Sequence, residues 1–79
     1  MIETVYIESQ CGDDKLRNLS IELEDETIDV YGEYFNDNDI EETYSLTPDV
    51  MVKVKSWMKK VKDCCSPDEA LNQLHKIVD

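Results

Sequence analysis

Glycine is nearly absent: the chain has only Gly12 and Gly32, too far apart to form a glycine-rich loop that cradles a phosphate. Cysteine is sparse and awkwardly placed. Cys11, Cys64 and Cys65 are an odd number, two of them are adjacent, and no C-x-x-C spacing occurs. This pattern fits neither a disulfide framework nor a zinc ribbon, and reads as reduced thiols in a cytoplasmic protein. His75 is the single histidine. A zinc site would need it together with Cys11 and both adjacent cysteines, a poor ligand set. A Cys11–His75 nucleophile pair has no local support either. No metal, no cofactor and no enzymatic activity are therefore expected. Apolar runs stop after a few residues, far short of the roughly 20 needed to span a bilayer. The opening Met1-Ile2-Glu3 lacks the basic-then-apolar layout of a signal peptide. The expectation is a cytoplasmic protein with no membrane partner. No internal repeat, linker or low-complexity tract is visible.

Positive charge is also scarce. Eight Lys and Arg face 19 Asp and Glu, for a formal net charge of −11. Charged residues make up 34 % of the chain, against roughly 25 % in an ordinary domain. An imbalance of this size aids solubility and costs stability through self-repulsion. It is also segregated. Residues 1–49 hold fifteen acids against Lys15 and Arg17, a balance of −13, whereas residues 50–79 hold six lysines against four acids, a balance of +2. Charge spread evenly would describe a solubility device; charge confined to one half describes a face.

What is present is enough to fold. Seventy-nine residues at 41 % hydrophobic content make one domain, residues 1–79, with one modest core. The first half alternates with a period of two. Val5 and Ile7 share one side of a strand, with Thr4, Tyr6 and Glu8 on the other. Cys11-Gly12-Asp13-Asp14 signals a turn. Leu19, Ile21 and Leu23 then oppose Ser20, Glu22 and Glu24. Asp25-Glu26 is a short link suited to a hairpin, without the favoured glycine. Ile28 and Val30 alternate with Thr27, Asp29, Tyr31 and Glu33. After Asn36-Asp37-Asn38-Asp39, a fourth strand over 40–46 places Ile40, Tyr44 and Leu46 on one side, with Glu42 among them.

The period then changes. Thr47-Pro48 starts a helix: Thr caps an exposed N–H and Pro fills N1, where its missing donor costs nothing. Val50, Val54, Trp57, Met58 and Val61 recur at helical spacing, and five lysines from Lys53 to Lys62 cover much of the rest. Ser66-Pro67-Asp68-Glu69 starts a second helix with a capping-box Glu, and Leu71, Leu74, Ile77 and Val78 form its stripe. The fold class is α+β: an antiparallel three- or four-stranded meander (strands within about 3–46) followed by two C-terminal helices (about 48–63 and 67–78) packed on one sheet face. The opposite face is left to water, which antiparallel sheets tolerate.

That open face is the main functional candidate. By alternation it presents Tyr6, Glu8, Glu22, Glu24, Asp29, Tyr31, Glu33 and Glu41. Like charges on neighbouring strands repel, so a chain shaped only for folding would mix in Lys or Thr. Carboxylates interleaved with tyrosines suit a basic partner, because carboxylates pair with Arg and Lys while Tyr supplies rigid contact area and a surface for Arg stacking. The bland reading is a solvated strand face. Three weaker features are also present. The lysine-rich helix offers a cationic surface for nucleic acid or anionic lipid, but the net charge opposes approach to a polyanion, so no direct nucleic-acid binding is expected. Asn36 to Asp39 offers oxygens to a hard cation, but lacks the glycine and spacing of a calcium loop and reads as an Asx-rich turn. Acid pairs are too plentiful to mark acid–base catalysis.

In size and charge, though in no motif, the chain is similar to small acidic phage proteins that block CRISPR effectors, restriction enzymes or other DNA-binding proteins of the host. Immunity proteins that neutralise nucleases share the same general look. That likeness implies an acidic inhibitor whose carboxylates stand in for phosphates on a basic, nucleic-acid-binding protein. The alternative is a non-enzymatic adaptor or homodimeric subunit that binds through apolar contacts of a strand edge or helix face.

Overall fold

The computed structural model describes residues 2–10, 12–63 and 66–79. The cysteine readings above fall on Cys11, Cys64 and Cys65 and so lie outside the described residues. Four strands, β1 (Ile2–Glu8), β2 (Leu16–Glu24), β3 (Thr27–Tyr34) and β4 (Asp39–Ser45), are followed by α1 (Pro48–Val61) and α2 (Pro67–Val78). The strands form one antiparallel sheet in the order β1-β2-β3-β4. This is the expected α+β meander with two C-terminal helices, and it has four strands.

Local chemistry sets the boundaries. Glu24 pairs with Thr27, so Asp25 and Glu26 alone turn the chain between β2 and β3. Asp25 takes a left-handed backbone (φ 54°) where glycine would be unstrained. In the β3–β4 turn Asp37 does the same (φ 70°), and Asn36 Oδ1 accepts from the Asn38 N–H at 3.2 Å, which makes this segment an Asx turn. Both helices begin at their expected caps. Thr47 Oγ1 accepts from the Val50 N–H and Ser66 Oγ from the Glu69 N–H.

The core lies between the helices and one side of the sheet. Val5, Ile7, Leu19, Ile21, Leu23, Ile28 and Val30 are buried with Val54, Trp57, Met58, Val61, Ala70 and Leu74. Leu71, expected there too, is only half-buried, and Ala70 lies deeper. Leu16 is a core residue the alternation did not reveal. The β2–β3 register shifts between Leu16 and Asn18, and this bulge leaves Arg17 exposed and Leu16 buried. Gly32 faces the same crowded spot, where a Cβ would meet the Asn18 carbonyl oxygen at 3.1 Å.

Asp68, Asp14 and Trp57 make the polar contacts that tie these elements together. Asp68, in the first turn of α2, accepts from the Lys15 and Leu16 N–H groups at 2.8 and 2.9 Å, anchoring the start of β2. Asp14 accepts from Ser9 Oγ and from the capping Ser66 Oγ. Trp57 Nε1 donates to Gln73 Oε1 at 2.9 Å, joining the two helices.

Candidate functional site

The register brings all eight residues singled out from the sequence onto one side of the sheet, the side away from the helices. Paired residues in adjacent strands point the same way, so the face reads as four rows running across the strands. One row is Glu8, Asn18, Glu33 and Asp39. The next is Tyr6, Ser20, Tyr31 and Glu41. Then come Thr4, Glu22, Asp29 and Thr43, and last Ile2, Glu24, Thr27 and Ser45. Seven of these side chains are carboxylates, and none is Lys, Arg or His.

Two pairs of acids sit directly opposite one another: Glu22 with Asp29, and Glu33 with Asp39. Asp39 was missed because the sequence reads 36–39 as a loop; in the structure it opens β4. Compensation on the face is slight. Asp29 Oδ1 accepts from Thr43 Oγ1 at 2.9 Å. Arg17, the exposed bulge residue beside Asn18 at the end of the face, pairs with Asp37 at 3.8 Å, with its guanidinium 5.5 Å from the Phe35 ring centroid.

The two tyrosines share one row, Tyr6 on the edge strand β1 and Tyr31 on the inner strand β3. Tyr6 is 54 % and Tyr31 40 % exposed, with the short Ser20 between them on β2. The result is a shallow depression of about 370 Å³, walled by the two rings and rimmed by Glu33, Asp39 and Glu41. Both phenols feel the field of the face. Partial desolvation holds the Tyr6 phenol above its ordinary range, with Glu8 and Glu33 adding to it. The Asp29 carboxylate does the same to Tyr31, followed by partial desolvation, Glu41 and Glu22.

Glu42, the one acid the alternation places on the apolar side, is on the helix side and half-buried. It accepts from Tyr44 Oη and shares a 2.9 Å hydrogen bond with His75 Nε2 of α2. The His75 hydrogen bond is the main reason its carboxyl titrates below the ordinary glutamate range. His75 is thereby committed to a contact within the fold, with Tyr44 edge-on to its ring.

The lysines Lys53, Lys55, Lys59, Lys60 and Lys62 are all exposed on or just after α1, in the helical layer. The molecule is therefore dipolar, with acid on the open sheet face and a lysine stripe on the opposite layer. Among the described residues no three His, Cys, Asp or Glu side chains are grouped to hold a metal ion, and no helix is long and apolar enough to cross a membrane. No family model, curated protein or solved structure matches the chain.

Proposed function

We propose that this protein is a small acidic inhibitor whose open sheet face covers a basic, nucleic-acid-handling surface of another protein. The observation that carries the reading is the row pattern: seven carboxylates and two tyrosines in four paired rows, with no cation in any row. The charge is of the right order to replace a nucleic acid. Four rows along a strand span about 20 Å. A B-DNA segment of that length carries about twelve phosphates, about half of them on any one side. An acidic face of this density competes for the same Lys and Arg side chains, and its tyrosines add contact area that phosphates lack.

On this reading the protein is a binder and not an enzyme, it works in the cytoplasm, and its target is a basic protein that handles nucleic acid. A phage-encoded protein directed against a host defence nuclease such as a CRISPR effector would have these properties. The test is capture of the target from the native host with the wild-type chain and with a Glu22→Lys/Glu24→Lys/Glu33→Lys variant. The expected target is basic, is released by salt and by competing duplex DNA, and is not retained by the variant. Retention of the same target by the variant would refute this face as the binding surface.

The adaptor reading draws on other features: the open edges of β1 and β4, and the exposed Ile2 and Val52. It predicts a dimeric mass in solution and binding that is insensitive to salt.

A further inference from the structure

The depression at the centre of the face has a shape that suits one kind of side chain. Tyr6 on β1 and Tyr31 on β3 flank Ser20 on β2 in a single row. Two strand spacings separate the rings' backbones by about 10 Å, and side chains stand roughly perpendicular to the sheet. A cation seated over Ser20 therefore lies about 5 Å from each ring, inside the roughly 6 Å reach of a cation–π contact. Glu33, in the adjoining row, supplies acceptors to a group held between the rings, while Asp39 and Glu41 line the part of the same depression beyond Tyr31. A flat, delocalised cation with several in-plane N–H donors satisfies walls and rim at once; a compact ammonium satisfies only the rim.

We propose that the Tyr6–Ser20–Tyr31 notch receives an arginine side chain of the basic partner, held within cation–π reach of both rings and hydrogen-bonded to Glu33. This rests on the acidic face being the docking surface, and adds to it a preference for arginine over lysine that charge alone does not give. Ser20 matters because it is small: a larger side chain between the rings would fill the seat.

The test compares labelled octa-arginine with octa-lysine, peptides of equal formal charge, by fluorescence anisotropy at about 0.15 M salt. Wild-type protein is expected to bind octa-arginine about fivefold to thirtyfold more tightly than octa-lysine, the increment of two ring contacts. Tyr6→Leu/Tyr31→Leu should bring the ratio close to one and leave octa-lysine affinity within about twofold. Ser20→Leu, which keeps both rings and every carboxylate, should do the same and guards against a folding defect in the double variant. Equal affinity of the wild type for the two peptides, or a ratio that survives Ser20→Leu, overturns the notch and leaves the acidic face standing. Failure to bind either peptide removes both.

Discussion

Glu22 and Asp29 face each other across β2 and β3, and neither has a cationic neighbour in its row. Two carboxylate charges about 6 Å apart repel by ~0.7 kcal/mol in a water-like dielectric, within the roughly 0.2–1 kcal/mol range of cross-strand pairs. Glu22→Gln removes that term, and Glu22→Lys replaces it with an attraction of similar size. Expected gains are about 0.5 kcal/mol for Gln and about 1 kcal/mol for Lys. In a domain of this length 1 kcal/mol raises Tm by about 4–8 °C. Intrinsic strand preference contributes little, because Glu and Lys are both mildly disfavoured in strands. Thermal melts followed by circular dichroism at about 0.01 M and about 1 M salt separate the cause, since screening lengths of ~30 and ~3 Å leave the pair intact in one case and masked in the other. The Lys variant should gain most at low salt, with the gain shrinking at high salt, while its affinity for a basic partner falls. A Lys variant that melts at or below the wild type in low salt would show that the acid ladder costs the fold nothing. The case for a face kept acidic at the expense of stability would then lose its physical basis.

Gly32→Ala should destabilise by about 1–3 kcal/mol in urea denaturation, because the new methyl meets the Asn18 carbonyl, a backbone atom that cannot step aside. An unchanged midpoint would show that the bulge can relax. Asp68→Ala removes two charge-assisted hydrogen bonds from the partly exposed start of β2 and should cost about 2 kcal/mol, with faster amide exchange at Lys15 and Leu16 as the local readout. The carboxyl of Glu42 is depressed in the folded state, chiefly by His75, so its contribution is complete above the ordinary glutamate range and is lost as pH falls through the folded value. Glu42→Gln should therefore be less stable than wild type above the ordinary glutamate range, with the difference shrinking as pH falls below it; a difference that persists or widens in acid would contradict this sign.

Most of the architecture was legible because two periods divide the chain cleanly. Leu19, Ile21 and Leu23, then Ile28 and Val30, can only be the inner side of strands, and the Thr47-Pro48 and Ser66-Pro67 pairs mark the helix starts. The same alternation put the tyrosines and acids on one face. Two residues escaped it, and a third was placed without its partner, each for a physical reason. Leu16 was hidden by the bulge at Arg17, which breaks the period where the strand begins. Asp39 belongs to a hairpin whose first paired residue follows an Asx turn, and turn chemistry and strand start overlap in sequence there. Glu42 keeps its place on the helix side through His75, a partner distant in sequence that no local pattern announces. The row order, and with it the Tyr6–Ser20–Tyr31 alignment, depends on register, which alternation leaves free by steps of two.

The meander order also shapes how the chain reaches its fold. Each strand pairs with the next one made, so the sheet closes through short loops at small entropic cost. During synthesis the strands emerge before the two helices are free to cover Leu19, Ile21, Ile28 and Val30. In that interval the bare apolar side is the hazard and the far side is the guard: two nascent sheets approaching each other carry the same dense negative charge, and they repel before their greasy faces can meet.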